Sequence, residues 1–210
     1  MRRRSLFLAA LLAPAIGHAA ELPPPALPVQ VLIAGLIAVM KAGRGVPFAQ
    51  RVRMLQPAVE QSFDLPLILR RTVGLKWGGF SDAAKADLLQ AFEAFTVTSW
   101  VANFDNHDGE RFEILPDVRR IGDEVVVASQ LVPKSGDPTR LDYVMREVGQ
   151  LQKGGAGVWR IVDILLNGSI SRVAVQRSDF RAILDSGDPG PLIALLRVKT
   201  AALAAGEGKG

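Results

Sequence analysis

The sequence predicts an α+β fold in which about four antiparallel strands pack with six or so helices around an apolar cavity. Three observations support this prediction. Apolar residues recur at spacings of three and four up to about residue 103 and again after residue 171, which is typical of helices. Between residues 111 and 166 the period is two, and short turns rich in glycine separate the segments, as in an antiparallel meander. The last of these strands is apolar on both faces, which indicates that both faces are covered.

Residues 1–19 have the pattern of a cleavable signal peptide. Three consecutive arginines at positions 2–4 supply its positive start, residues 6–16 form an apolar stretch too short to span a bilayer, and small residues precede a cleavage site near Ala19. The sequence therefore predicts an exported protein. We expect a proline-rich, extended segment at residues 20–28, a single domain at residues 29–204 and a frayed tail at residues 205–210.

The overall charge argues against nucleic acid as a partner. The chain has 25 basic and 21 acidic residues, and three of the basic ones lie in the signal peptide, so the exported protein is close to neutral. A near-neutral surface is poorly suited to holding nucleic acid, or a strongly anionic membrane, as the main partner. The chain also has no cysteine, so an exported protein of this sequence depends on core burial for its stability.

Six helices are predicted from apolar spacing together with start and stop signals. Asp64, Ser81 and Ser171 are suited to N-capping because their side-chain oxygens can accept a hydrogen bond from a backbone amide of the first turn. Pro57 is expected to limit the second helix, since proline has no amide hydrogen to donate. The predicted helices cover residues 29–41, residues 48–59, the stretch from Asp64 to Gly74, the stretch from Ser81 to about Asn103, the stretch from Ser171 to Gly187, and the stretch from Asp188-Pro189 to about Leu203.

Four strands are predicted between the fourth and fifth helices. They cover residues 111–118 with a break at Pro116, residues 124–132, residues 140–148 and residues 157–166, with a glycine-rich hairpin tip at residues 154–157 before the last. In the last strand one alternate set contains Trp159, Ile161 and Leu165. The other alternate set contains Val158, Val162, Ile164 and Leu166. Asp163 is the one carboxylate of this strand, and its role needs an explanation.

The acidic loop after the longest helix is a candidate metal site. Asp105, His107 and Asp108 are potential ligands, and His107 is the one histidine outside the signal peptide. The same residue types are common in turns because they satisfy local backbone groups, and we favour that interpretation. With one histidine and no cysteine, most catalytic triads and metal cages are excluded.

Asp163 allows two interpretations. In an apolar pocket it could act as a general base with a raised pKa. It could instead be a structural carboxylate that accepts hydrogen bonds from a neighbouring helix or from an arginine such as Arg70 or Arg172. We favour the structural role, because no histidine, lysine or second carboxylate stands at a telling spacing from it.

Aromatic residues on the longest helix and on the strands predict either core or cavity lining. Phe92 and Phe95 share a face of the helix, and Tyr143 and Trp159 lie on strands. In isolation such residues are usually core. A sheet apolar on both faces and covered by apolar helices favours the alternative, in which the surplus lining encloses a cavity.

Several strings of the sequence resemble one family. FDLPLILRRTVGLKW at residues 63–77, WRIVDILLNGSISR at residues 159–172 and PLIALLRVK at residues 191–199 resemble the MlaC-type periplasmic lipid-binding proteins, the toluene-tolerance auxiliary components of ABC transporters. Residues 100–115 and 135–146 are more similar to the hopanoid-biosynthesis-associated HpnM branch. The chain departs from that pattern at Trp100, where a tyrosine is expected, and at the insert-like LQKGGAG before Trp159.

The resemblance implies a curved antiparallel sheet backed by helices, with a deep apolar pocket for lipid tails and a structural role for Asp163. It leads to the hypothesis of a periplasmic carrier that shuttles a hopanoid or related lipid between the inner and outer membranes, with a phospholipid shuttle of an ABC-type system as the alternative. Its partners would be an inner-membrane lipid transporter and an outer-membrane complex. No catalytic residue, metal or cofactor is expected. The predicted lipid-binding residues are Phe63, Leu67, Leu88, Phe92, Phe95, Tyr143, Met145, Trp159, Ile161 and Leu184.

Two rival functions remain open at the level of sequence. A lipid-modifying enzyme could use the same pocket with Asp163, Asp105 or His107 as acid or base, and it would need two or three ionisable groups that converge in the cavity. An adaptor could bind a membrane complex through the apolar helix at residues 29–40, and it would have a filled core. A cavity of several hundred cubic ångströms between sheet and helices is therefore the discriminating prediction.

Overall fold

The structure, a computed structural model, describes residues 22–150 and 157–207. The predicted signal peptide, most of the predicted hairpin tip and the end of the predicted tail lie outside the described residues. Within them the chain is an α+β fold, as predicted.

Six α-helices are present in the described part of the chain. The three predicted N-caps are confirmed: Asp64, Ser81 and Ser171 each accept a hydrogen bond from a first-turn amide, at 3.0, 3.2 and 2.9 Å. Two short 3₁₀ segments, Pro24–Ala26 and Gly74–Gly79, precede the first helix and follow the third. The helices are α1 Leu27–Ala42, α2 Phe48–Ser62, α3 Leu65–Val73, α4 Asp82–Asn103, α5 Arg172–Arg181 and α6 Gly190–Ala204.

Three helix predictions need correction. Helix α2 continues through Pro57 to Ser62, because one missing amide donor removes a single hydrogen bond and the packed face of the helix holds the rest. The proline-rich segment before α1 is helical from Pro24 onwards and not extended, since proline is tolerated in a first turn. Helix α5 ends at Arg181, and turns lead from there to Gly187.

The sheet has five strands, in the order β1-β2-β3-β4-β5, and not the four predicted. The extra strand forms because Asn167 and Gly168 both adopt left-handed conformations, with φ of 51° and 73°, and turn the chain back so that Ile170 pairs with Leu166. Phe63 adds a one-residue parallel bridge to Ile161 of β4. The strands are β1 Arg111–Ile121, β2 Glu124–Val132, β3 Thr139–Gln150, β4 Gly157–Leu166 and β5 Ile170–Ser171.

Irregularities in the strand register change which side chains share a face, and two of them bear on the core. In β1 the register shifts between Ile114 and Val118, at the predicted break around Pro116. In β4 Asp163 pairs with Val144 and Ile161 pairs with Met145, so β4 has one extra residue there, a β-bulge. The bulge resets the alternation.

As a result, the two faces of β4 differ from those expected by simple alternation. Ile161, Ile164 and Leu166 all belong to the main core, whereas Val162 and Leu165 belong to a separate cluster on the other face. We call these the inner and outer faces of the sheet. The main core lies between the inner face and the helices. The outer cluster is smaller and consists of Val126, Val144 and Val162 with Leu67 and Leu165 packed against them.

Among the described residues, one helical segment could cross a bilayer by length and composition alone. It is Pro24–Ala42, with a mean hydropathy of 1.7, and 44% of it is buried. Core helices of soluble proteins pass the same test, and Val29, Leu32 and Leu36 of α1 are fully buried in the main core. The burial of these residues makes α1 a core helix of the fold.

Candidate functional site

A cavity of about 320 Å³ lies between the inner face of the sheet and the helices α3, α4 and α5. The predicted cavity is therefore present. Its wall is mainly apolar, and five of its residues are aromatic. The apolar lining comprises Phe63, Leu65, Ile68, Phe92, Phe95, Trp100, Phe104, Leu141, Ile164, Leu166 and Val173.

Helix α4 supplies the largest share of this wall. Phe92, Phe95, Ser99 and Asn103 follow one another at spacings of three and four, so they form one face of the helix. This face is aromatic in its middle and polar toward its C-terminal end. The shared face of Phe92 and Phe95 is as the sequence pattern predicted.

Aromatic rings form a chain along one side of the cavity. The ring centroid of Phe63 lies 6.1 Å from that of Trp100, and Trp100 stacks on Phe104 at 5.4 Å with an interplanar angle of 26°. Phe104 in turn lies 5.8 Å from Phe112 of β1. Aromatic pairs at such distances add to the stability gained by burial. These rings therefore form a continuous aromatic wall that joins the α2–α3 link, the C-terminal end of α4 and β1.

The polar lining gathers toward α5 and the C-terminal end of α4. It consists of Thr96, Ser99, Asn103, Asp163, Arg172 and Gln176. The Thr96 hydroxyl donates to the Phe92 carbonyl at 2.8 Å. The Ser99 hydroxyl is buried and has no hydrogen-bond partner among the described residues. Asn103 and Arg172 are exposed, so the polar lining reaches solvent.

Asp163 is held in place by the start of α5. Its carboxylate accepts hydrogen bonds from the Ile164 amide at 2.7 Å, the Ser171 hydroxyl at 2.5 Å and the Val173 amide at 3.1 Å. The predicted hydrogen bonds from a neighbouring helix are confirmed. A carboxylate at a helix N-terminus is also favoured by the helix dipole. Asp163 thus joins the bulge of β4 to α5.

The cavity brings few ionisable groups together. In the described part of the chain its lining contains Asp163 and Arg172 alone of this kind. The carboxylate oxygens of Asp163 are already engaged by three donors. The arrangement is therefore suited to holding an apolar ligand and poorly suited to acid–base chemistry, which requires a second converging group.

Three of the predicted lipid-binding residues, Phe63, Phe92 and Phe95, line the cavity. The other seven lie elsewhere, and their contact with a ligand stays a prediction. Leu88, Tyr143, Met145 and Ile161 are completely buried in the main core, Trp159 packs against that core, Leu67 covers the outer cluster, and Leu184 lines a second cavity.

Sequence reasoning missed Trp100 and Phe104, which also line the cavity. Trp100 follows Thr96 by four positions and Phe104 follows Trp100 by four, so both continue the predicted face of α4. This spacing could have identified them. Ile164 and Leu166 were placed on the opposite face from Ile161, because the bulge was not foreseen.

The side chain of Tyr143 does not take part in acid–base chemistry at neutral pH. Burial raises the pKa of its phenol, and the neighbouring Ser129 hydroxyl opposes this by a smaller amount. The tyrosine is therefore neutral and acts as part of the core.

The acidic loop after α4 makes one ion pair to the turn between α1 and α2 and otherwise bonds within itself. Asp105 forms an ion pair with Arg44 at 2.9 Å, and Nδ1 of His107 accepts a hydrogen bond from the Gly109 amide at 3.2 Å. The described residues contain no group of three or more potential metal ligands. These contacts agree with the interpretation of the loop as a turn.

Comparisons with known proteins point to one family. Residues 30–198 match the sequence model of a family described as MlaC protein. The fold is similar to that of a phospholipid-binding protein from Ralstonia solanacearum, solved in complex with a phospholipid. The TM-score is 0.70 at 19% identity, with 87% of this chain and 99% of that chain covered. A search of curated proteins gave no match.

Proposed function

The chain belongs to the MlaC family, and from this premise we propose that it is a periplasmic carrier that binds a phospholipid or related lipid and does no covalent chemistry. The observation that carries the proposal is the cavity of about 320 Å³ with its apolar and aromatic wall. The phospholipid bound to the Ralstonia solanacearum protein of similar fold supports the choice of ligand class.

The energetics of transport explain why a carrier needs such a cavity. Each methylene group left in water costs about 0.8 kcal/mol, so a chain of ~16 carbons costs on the order of 13 kcal/mol to move unprotected. A protein that carries lipid between membranes must replace this lost apolar environment. Phe92, Phe95 and Trp100 supply it along the length of α4.

The distribution of polar groups suggests how the lipid is oriented. The polar lining lies at one side and reaches solvent at Asn103 and Arg172, whereas the aromatic residues lie deeper. We place the acyl chains against the aromatic residues and the headgroup at the polar lining. The Ser99 hydroxyl, which lacks a partner among the described residues, is a hydrogen-bond donor available to the ester region of a lipid.

A carrier explains the cavity better than either rival function. The enzyme would need converging ionisable groups, and the described lining offers Asp163 with its oxygens engaged and Arg172 at the edge. The adaptor would use α1 as a binding surface and would have a filled core. Val29, Leu32 and Leu36 of α1 are instead buried in the core, and the interior is not filled.

The cargo has a second candidate, a hopanoid. Its support is the similarity of residues 100–115 and 135–146 to the HpnM branch. The first of these stretches contains Trp100 and Phe104, whose stacked rings form a flat wall that suits a rigid polycyclic lipid. The sequence resemblance favoured the hopanoid, and phospholipid replaces it as the first choice because of the phospholipid bound to the structural neighbour.

Periplasmic location and membrane partners complete the proposal. The signal peptide predicted at residues 1–19 would export the protein, with cleavage near Ala19. A lipid held in an apolar cavity leaves slowly, so release requires a partner that favours the open form. An inner-membrane lipid transporter and an outer-membrane complex would load and unload the carrier.

Mass spectrometry of co-purified lipids tests this proposal. The full-length chain, expressed with its signal sequence, is isolated from the periplasm, and bound lipids are extracted and identified. We expect a phospholipid at near one lipid per protein, and a hopanoid in that amount would select the second candidate. Protein that is folded but carries no lipid would overturn the carrier function.

Two variants test whether the acidic loop takes part in lipid binding. His107→Ala and Asp105→Ala should both retain the bound lipid, because His107 bonds within the loop, Asp105 pairs with Arg44 in the turn between α1 and α2, and neither side chain lines the cavity. Loss of lipid in a folded His107→Ala protein would favour the enzyme or metal interpretation.

A further inference from the structure

Leu75 is the most exposed large hydrophobic residue in the described chain, with 95% of its surface accessible. It lies in the 3₁₀ segment Gly74–Gly79 that follows α3. Single exposed hydrophobic residues are common on protein surfaces, so exposure alone carries no functional meaning. The surroundings of Leu75 distinguish it.

A second cavity, of about 230 Å³, lies beside Leu75 between α3 and α5. Its lining includes three cationic side chains, Lys76, Arg177 and Arg181, and one carboxylate, Asp185. Lys76 donates a hydrogen bond to the backbone carbonyl of Asp185 at 3.0 Å. None of the three cations forms an ion pair with a carboxylate of the described residues. Three cations against one carboxylate leave a local excess of positive charge.

The segment that carries Leu75 is anchored. Trp77 packs edge-on against the buried Phe80 with ring centroids 6.3 Å apart. Gly74 has a φ of 69°, which favours glycine, and the Arg177 guanidinium lies against it: a Cβ at this position would stand 3.2 Å from Nη2. The backbone thus holds Leu75 outward next to the cations.

We propose that Leu75, Lys76, Arg177 and Arg181 form a docking patch that seats the protein on a bilayer surface containing anionic lipids. Leu75 would enter the boundary between headgroups and acyl chains, and the cations would contact lipid phosphates, with the second cavity as the space for one headgroup. A protein partner suits the patch less well, because the core of a protein interface is a contiguous apolar area depleted of charge. Here one apolar side chain stands among cations.

The charge of the whole chain does not conflict with this patch. The near-neutral balance averages over the surface, whereas attraction to an anionic bilayer acts within about 10 Å and depends on the local charge.

The patch also shares its helices with the candidate lipid site. Ile68 of α3 and Val173 of α5 line the first cavity, and later residues of the same helices line the second. This inference rests on the proposed function in that a lipid carrier must meet a membrane.

Vesicle flotation with the exported protein tests the patch. One set of vesicles contains phosphatidylcholine alone, and the other contains equal parts of phosphatidylcholine and phosphatidylglycerol. We expect stronger binding to the anionic vesicles, and weakening by about fivefold for Lys76→Ala or Arg181→Ala, since each cation near an anionic surface contributes that factor. Leu75→Asp should weaken binding by roughly tenfold or more.

Val198→Asp is the matched control. Val198 is 65% exposed on α6, so the same change from an apolar residue to aspartate is made outside the patch. This variant should bind anionic vesicles nearly as well as the unmodified protein. Equal loss in Val198→Asp and Leu75→Asp, equal binding to both vesicle types, or binding unaffected by Leu75→Asp would each overturn the proposal. The last two results would leave an acidic protein surface as the better partner.

Lipid content separates this proposal from the proposed function. Leu75→Asp should keep its co-purified lipid, because Leu75 does not line the first cavity. If the unmodified protein carries no lipid but floats with anionic vesicles in a Leu75-dependent way, the carrier function fails and the docking patch stands. If the unmodified protein carries lipid but does not bind anionic vesicles, the docking patch fails and the carrier function stands.

Discussion

The two faces of the sheet are both apolar, yet they differ in what they contain. On the outer face Val126, Val144 and Val162 are buried and pack together, with Leu67 and Leu165 against them. On the inner face long aromatic side chains from α4 and from Phe63, in the link between α2 and α3, surround a cavity of about 320 Å³. Short valine side chains pack directly against one another, whereas long aromatic side chains can surround a space and leave its centre open. An apolar face is therefore not a binding face by itself.

The carboxylates of the two faces also differ. Asp163 is held by two backbone amides and a hydroxyl at the edge of the cavity. Asp142, on the outer face of β3, is fully buried and paired with Arg140 at 2.8 Å and Arg119 at 3.7 Å. Asp163, on the cavity side, is therefore stabilised by neutral hydrogen-bond donors and not by an ion pair. The outer side uses charge pairing.

The largest effect should follow a charge placed on the inner face. Phe95→Asp puts a carboxylate where acyl chains are expected, and desolvating an unpaired charge costs at least ~3 kcal/mol, so lipid affinity should fall by about a hundredfold or more. Lipid content is measured on protein shown to be folded by circular dichroism. Phe95→Leu keeps the site apolar and should retain most of the affinity. A folded Phe95→Asp protein with a full complement of lipid would place Phe95 outside the binding site.

The next effect concerns the joint between β4 and α5. Asp163→Ala removes the acceptor for two backbone amides and the Ser171 hydroxyl, so the free energy of unfolding should drop by about 2 kcal/mol in urea denaturation. Asp163→Asn keeps an acceptor oxygen and should lose less. If Asp163→Ala were as stable as the unmodified protein, the structural role would be wrong and the general-base interpretation would gain weight.

A smaller effect is expected on the outer face. Val162→Ala deletes two methyl groups from a fully buried position, which should lower the free energy of unfolding by about 1.5 kcal/mol. Lipid affinity should not change, because no residue of the outer cluster lines the cavity. Thermal denaturation and lipid content are measured on the same sample. Loss of lipid from a folded Val162→Ala protein would show that the two faces are not independent.

The smallest effect involves Glu93, on the part of α4 that faces α2. Partial burial, and then the negative charge of Glu60, raise the pKa of this carboxyl above its ordinary 4.5. The folded state therefore binds more protons than the unfolded state between pH 4.5 and the raised pKa, and stability falls as pH rises through that window. Glu93→Gln should be slightly more stable than the unmodified protein at pH 7. The difference should vanish below pH 4.5 in denaturation curves, and a constant difference at all pH values would contradict this origin.

Local signals in the sequence predicted most of the helices. The caps at Asp64, Ser81 and Ser171 follow from the chemistry of one side chain and a nearby amide, so no distant contact is needed to foresee them. The expectation that Pro57 would limit α2 was wrong, because the outcome depends on tertiary packing. The cost of the proline to the helix is local and visible in the sequence, but the packing of Leu55 and Val59 that outweighs this cost is tertiary.

The lining of the cavity was predicted where it lies on a helix and missed where it depends on a strand register. Phe92 and Phe95 follow the helical period, which a bulge cannot change. On β4 the extra residue at Val162 moves Ile164 and Leu166 to the inner face, and nothing in the local sequence marks that position. Tyr143, Met145 and Ile161 share the inner face but lie under other side chains, and depth within a core is not encoded by alternation.

The positions of the tryptophans give the molecule an optical use. The chain contains three: Trp100 in the wall of the first cavity, Trp77 in the 3₁₀ segment that presents Leu75, and Trp159 on β4. Indole emission shifts in colour with the polarity around the ring, so variants that retain one tryptophan at a time would report three separate events. Filling of the cavity, seating on a bilayer and melting of the sheet could then be followed by fluorescence without any attached dye.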